Sequence, residues 1–230
     1  MEPIKDYNVV FTTADGTETI AQNWEKKEKN GFTFHNAHLA GLQVSILCNE
    51  KDELYLRSVN LGKEPVTGFL GIRFDWDGPE TGYTVIPGIY YNGNYHSKLN
   101  EIPYLHLPVS PLFQAPLSAA SVPGVFAWNG NRRACHYAVS HTSIAGWNGV
   151  ELDGKRNCIT FYSPAREEHH YHWRGCSGPK RPQNWNQFDL LSVKVSRSGF
   201  RAESVCDLFE YIWEKMIDYV FGEEAKEQYF

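Results

Sequence analysis

Only one long stretch of this 230-residue chain carries a helical repeat, and it lies near the C-terminus. From Val205 onward the apolar residues fall at Val205, Leu208, Phe209, Ile212, Trp213, Met216, Tyr219 and Val220, spacings that gather them around one side of a helix. Ser204 stands where an N-cap is needed, Asp207 puts a carboxylate in the first turn, and Gly222 is a fitting stop. Everything before it reads in a period of two, or in short β-branched runs broken by turns. The chain is therefore expected to be all-β, closed by one amphipathic helix.

The strand pattern can be followed along the sequence. Residues 8–13 (NVVFTT) lead into an Ala-Asp-Gly turn, a hairpin signal. Residues 31–35, 42–48 and 54–60 carry alternating or β-branched patterns, with a charged loop at 49–53 between the last two. Residues 66–76 (VTGFLGIRFDW) alternate as a half-buried strand does. The strand at 85–91 is broken by Pro87-Gly88, which predicts a bulge or an edge position. Five prolines and few charges make 100–124 a long ordered connection. Strands are expected again at 125–128, 135–140, 146–152, 158–163, 169–174 and 188–196.

Aromatic residues at 14%, with 19 Gly and 12 Pro, agree with a β-rich, loop-rich body. The net charge of −5 comes without a large basic block, so nucleic acid is not an expected partner. No apolar run reaches the length of a membrane span, and MEPIKDYNVV lacks the apolar stretch of a signal peptide, so no membrane partner and a cytoplasmic location are expected. A chain trimmed of its signal would read the same way. The five cysteines (Cys48, Cys135, Cys158, Cys176 and Cys206) are odd in number and scattered, against both a disulfide framework and a structural zinc site.

Two segments point to chemistry. Residues 82–96, GYTVIPGIYYNGNYH, run from a strand into paired tyrosines and an Asn-Gly-Asn turn and end on a histidine; residues 125–136, VFAWNGNRRACH, repeat the theme. Ring faces cover the C–H patches of a sugar, and amides match hydroxyls that both donate and accept. In this reading Trp76, Tyr90, Tyr91, Asn92, Asn94 and His96 form one wall of a carbohydrate site, and Trp128, Asn129, Asn131 and Arg132 another. The plainer account is that Asn-Gly is a common turn and the rings are core.

Other candidates are less specific. On a strand, Glu168, His170 and His172 would share a face and suit a metal, but a solvated polar strand explains them more simply, and no metal or cofactor is expected. Asp75, Asp77, Glu80, Glu151, Asp153 and Glu168 show no spacing that pairs two carboxylates across a glycosidic bond, and no catalytic residue is selected. There is no GxSxG, P-loop or GxGxxG. Ser140-His141 and Cys135-His136 are strand neighbours that face opposite ways. Arg132-Arg133 and Lys180-Arg181 could clamp a carboxylate such as that of a uronic acid, although a solvated turn is the simpler role.

The β-rich body, the IPGIYYNGN and FAWNGNRR turns and the closing LFEYIWEKMIDYVF together resemble the N-terminal β-sandwich domain of bacterial six-hairpin glycosidase-like proteins. The resemblance implies a large two-sheet antiparallel super-sandwich, similar to the galactose-mutarotase fold, over residues 1–200. A linker helix and tail over 201–230 would lead into an (α/α) toroid. Catalytic carboxylates in that family lie in the helical domain. The chain is thus expected to be an accessory domain of a glycoside hydrolase, supporting or lining a glycan site without its own catalytic pair. Its expected partners are an oligosaccharide and the helical catalytic domain of the same polypeptide, with self-association through the helix as a further option. One alternative is a mutarotase-like sugar epimerase, pairing His96, His136 or His172 with Glu151 or Glu168; another is a free-standing carbohydrate-binding protein.

Overall fold

A computed structural model of the chain describes residues 7–30, 32–49, 53–75, 83–88, 112–117, 120–128, 133–140, 148–153, 156, 158–163, 183–187 and 190–222. They form two antiparallel sheets and one helix. Sheet A contains β1 (Tyr7–Thr12), β2 (Glu18–Ile20), β7 (Val66–Asp75), β9 (Leu112–Pro116), β12 (Gly149–Asp153), β13 (Cys158–Ser163) and β14 (Gln183–Trp185). Its order is β2-β1-β7-β13-β12-β9, with β14 beside the start of β7. Sheet B contains β3 (Glu25–Lys29), β4 (Phe32–Leu39), β5 (Leu42–Cys48), β6 (Glu53–Asn60), β8 (Tyr83–Val85), β10 (Gly124–Trp128), β11 (Arg133–Ser140) and β15 (Leu190–Arg201), in the order β3-β4-β5-β6-β15-β11-β10-β8. The helix α1 spans Val205–Phe221.

Period-two patterning decides which face of each sheet turns inward. Val9, Phe11, Leu70, Ile72, Phe74, Val150, Leu152, Ile159 and Phe161 of sheet A meet Leu42, Val44, Ile46, Leu54, Leu56, Val125, Tyr137, Val193 and Val195 of sheet B in one buried core. Phe74 ties the layers together: its ring centroid lies 5.0 Å from Tyr137 on the opposite sheet and 6.0 Å from Phe161 on its own. The all-β sandwich closed by a single helix is what the sequence pattern predicts.

The differences have local causes. Strands β3, β9 and β14 were not expected from the pattern. The sequence of β3 is EKKEK with every residue exposed, so it has no apolar face to read; its lysines and glutamates guard an outer edge of sheet B. Strand β9 sits at the edge of sheet A, where Pro116 needs no partner for its missing N–H. Strand β14 is three residues long and carries the buried Trp185, whose ring packs 6.1 Å from Phe11. The strand expected at 85–91 meets β8, an edge strand, only at Val85: a turn follows at Pro87-Gly88, where Gly88 has φ 86°, and 89–91 lie outside the described residues. The strand expected at 169–174 falls outside the described residues.

Helix α1 starts as its sequence requires. Ser204 accepts a hydrogen bond from the Asp207 N–H, and Asp207 accepts from the Ser204 N–H at 3.1 Å, a reciprocal capping box. Leu208 and Ile212 then sink into the outer face of sheet B, against Val85, Phe126, Ala134 and Ala202.

Candidate functional site

Both sheets bury residues on their outer faces: sheet A sets a charged row beside the apolar cluster Val10, Phe69 and Tyr162, and sheet B a layer under α1. On sheet A, the residues alternating with the core positions line up in a row across the strands. Arg73 on β7 pairs in register with Asn8 on β1 and with Thr160 on β13, and Thr160 pairs with Glu151 on β12. A neighbouring row sets Asp75, Cys158 and Asp153 side by side. An outer sheet face normally keeps its charges in water. Here Arg73 is 5% exposed, Asp153 6% and Glu151 0%.

Ion pairing makes that burial tolerable. The Arg73 guanidinium engages Glu18 through both terminal nitrogens, with Nη1 2.9 Å from Oε1, while its Nε donates to Thr160 Oγ1 at 3.3 Å. Arg156, in the turn after β12, donates from Nη1 to Glu18 Oε1 at 2.9 Å and from Nε to Asp153 Oδ2 at 2.5 Å. Its Nη2 lies 3.8 Å from Glu151 Oε1. Two guanidiniums thus knit three carboxylates into one network, from the edge strand β2 to β12.

Electrostatics follow from this geometry. Hydrogen bonding to Arg73 holds the Glu18 carboxyl below its usual range, against the opposing effect of burial. Burial alone would draw Arg73 toward neutrality; its bonds and attraction to Glu18 outweigh that and keep it charged. Burial pushes the Cys158 thiol up to about 11, despite the two arginines nearby, so it is a poor nucleophile. Room on this face depends on Gly71: a Cβ there would stand 2.8 Å from the Tyr162 ring. The members that meet solvent are Arg156, with 46% of its side chain exposed, and Glu18, with 21%. Neither arginine stands out in the sequence: Arg73 sits at an outward strand position that reads as a solvated face, and Arg156 in a polar turn. The one cue is Gly71, two residues earlier on the same side, which marks a crowded outer face.

The outer face of sheet B is partly apolar and covered by α1. His136 stacks on Phe126 (centroids 4.0 Å apart, planes at 6°) and meets the edge of Tyr211 on the helix at 6.0 Å. Burial, with a smaller push from Lys215, lowers its pKa from 6.5 to about 4, so the ring is neutral. Trp128 belongs to the same layer: its indole N–H donates to the Ala202 carbonyl at 2.9 Å, and its ring lies 6.3 Å from Tyr83. Of the ten candidate carbohydrate-binding residues, Trp128 is the one within the described residues; Trp76, Tyr90, Tyr91, Asn92, Asn94, His96, Asn129, Asn131 and Arg132 lie outside them. Glu168, His170 and His172 do too, and among the described residues no group of three His, Cys, Asp or Glu side chains is placed to hold a metal ion. His136 and Glu151 lie on the outer faces of opposite sheets, with the core between them, so they cannot act as one acid–base pair.

No protein-family model matches the chain, and no curated protein matches it in sequence. Among solved structures it is similar to the Slr1438 protein from Synechocystis sp. PCC 6803, at 14% identity and TM-score 0.46, covering 78% of this chain and 66% of that one. It is similar also to a galactose mutarotase-like protein from Clostridium acetobutylicum, at 10% identity and TM-score 0.46, covering 85% of this chain and 79% of that one. A third is a β-arabinopyranosidase, at 12% identity and TM-score 0.44, covering 85% of this chain and 34% of that one.

Proposed function

We propose that this chain is the sugar-handling β-sandwich of a carbohydrate-active protein, with the glycan held on the outer face of sheet A. The observation that carries the reading is the charged network Glu18–Arg73–Arg156–Asp153–Glu151, buried on an outer sheet face with Arg156 and Glu18 reaching solvent. A sugar hydroxyl donates and accepts at once, and a row of alternating carboxylates and guanidiniums meets both needs. Arg156 and Glu18 would touch the ligand, with Arg73, Asp153 and Glu151 fixing them from beneath. In this reading Tyr90, Tyr91, Asn92, Asn94 and His96, which fall between β8 and β9 in the sequence, supply the platform for the ring faces.

Binding rather than catalysis is the role that fits. Glu18, Asp153 and Glu151 all lie within 4 Å of a guanidinium, and an ion-paired carboxylate is a weak base. We therefore favour an accessory domain, working beside a helical catalytic domain, over a self-sufficient mutarotase-like enzyme. Calorimetry with mono- and oligosaccharides tests the reading. Saturable heat should weaken at least tenfold in Arg156→Ala, compared at a temperature where circular dichroism shows the variant folded, because the change also removes the Arg156 cation from the buried Asp153 and Glu151. Trp128→Ala should lower the melting temperature and leave affinity unchanged. Affinity lost in Trp128→Ala and kept in Arg156→Ala would move the site to the other sheet.

A further inference from the structure

Helix α1 lies over sheet B as a layer of its own. Leu208 and Ile212 join the cluster of Val85, Phe126, Ala134 and Ala202, and no residue of the helix enters the core between the sheets. His136 sits inside that outer layer, 7% exposed, between Phe126 on β10 and Ser198 on β15 in register. Phe126 stacks on its ring, and Tyr211 of the helix meets it with the planes at 76°. Its Nε2 is buried with no hydrogen-bond partner among the described residues and faces the bare Gly124, where an added Cβ would stand 3.2 Å from it. The helix brings two ionisable groups to the ring, the Tyr211 phenol and the Lys215 ammonium; Lys215 Nζ is 3.1 Å from Asp218 Oδ2, and Glu214 and Asp218 act on Tyr211. On this face β10 presents Gly124, Phe126 and Trp128, and β15 presents Ser198 and Phe200, none of them ionisable; Tyr83 of β8 lies against Trp128.

We propose that α1 is an acid-released cover: protonation of His136 lifts the helix from sheet B and bares the aromatic layer of Phe126, Trp128 and Phe200 beneath it. A proton on this ring creates a charge cut off from water, near the Lys215 ammonium and paired with no carboxylate of the described residues. Stacking on Phe126 compensates the cation only in part. Water reaches it when the helix leaves, because among the described residues α1 is the element over that side of the ring. The sandwich has no such reason to open, since its core shares no residue with the helix. Hydrogen bonds from Ser204 and the backbone hold the Asp207 carboxyl below its ordinary 3.8, so the helix cap outlasts the change at His136. The ring titrates near 6.5 in water and near 4 under the helix. Docking is therefore complete above pH 6.5 and weakens as the pH falls toward 4, by about thirtyfold at pH 5. This inference concerns sheet B and is independent of the sugar reading.

The test is amide hydrogen exchange of the whole chain at pH 7.5 and pH 5, corrected for the intrinsic pH dependence of exchange. Protection of the α1 amides should fall at least tenfold at pH 5, while the amides of β5, β6 and β13 keep theirs. In His136→Phe, which keeps a flat ring on Phe126 and cannot take a proton, the helix should be equally protected at both values. His136→Gln, a second neutral variant, should behave the same way. Unchanged helix protection in the wild type at pH 5 would overturn the proposal. So would an equal loss in the sandwich strands, which is global unfolding, or a fall in α1 that survives both substitutions, which would place the sensitive group elsewhere.

Discussion

His136 is kept neutral where a charge would be poorly solvated. The unfolded chain takes a proton there near its ordinary pKa of 6.5, the folded protein only near 4, so this contribution to stability is complete above pH 6.5 and is lost as pH falls toward 4. At pH 5 the loss is about 2 kcal/mol. The depressed carboxylates Glu18 and Glu53, whose ordinary pKa is 4.5, act in a lower window, stabilising above that value and failing below it. Denaturant unfolding of His136→Phe should therefore show a flatter stability curve between pH 7 and 5, with the steep loss below 4.5 unchanged. An unaltered slope above pH 5 would mean that the ring is already protonated in the fold. A second residue-scale case is Ala40, which holds φ 50° in the two-residue loop before Gly41. A left-handed conformation suits Asn far better than Ala, so Ala40→Asn should stabilise by about 1 kcal/mol, read as a rise in melting temperature.

At the scale of elements, α1 depends on its cap and on the layer it covers. Removing the Ser204 hydroxyl breaks the bond from the Asp207 N–H, and Ser204→Ala should cost about 1 kcal/mol in chemical denaturation. A loss below a few tenths would show that packing of Leu208 and Ile212 alone sets the helix start. The helix was legible because it carries three independent signals: apolar spacing, cap and stop. Strands with an apolar side, such as β5 and β13, were legible for the same reason. What escaped were elements without a face to read, such as the fully charged β3, and β9, whose proline looks like a loop until an edge position makes it harmless.

At the scale of the whole molecule, a sandwich has two outer faces, and a single sequence pattern cannot say which one is covered. Trp128 reads as a sugar platform from its neighbours in the chain, yet its N–H is taken by Ala202 and its ring lies in the layer beneath the helix. The charged network on sheet A joins residues 18, 73, 151, 153 and 156, brought together by strand order rather than by sequence proximity, and no local motif announces it. The same strand order parts His136 from Glu151. In the function proposed above, the outer face of sheet A, not that of sheet B, receives the sugar. A ¹⁵N-edited titration of the chain with the best-binding saccharide reads both faces in one spectrum. The Nε–H signals of Arg156 and Arg73 are predicted to shift and saturate while the Trp128 indole N–H stays in place; a moving indole beside unmoved arginines would contradict the claim.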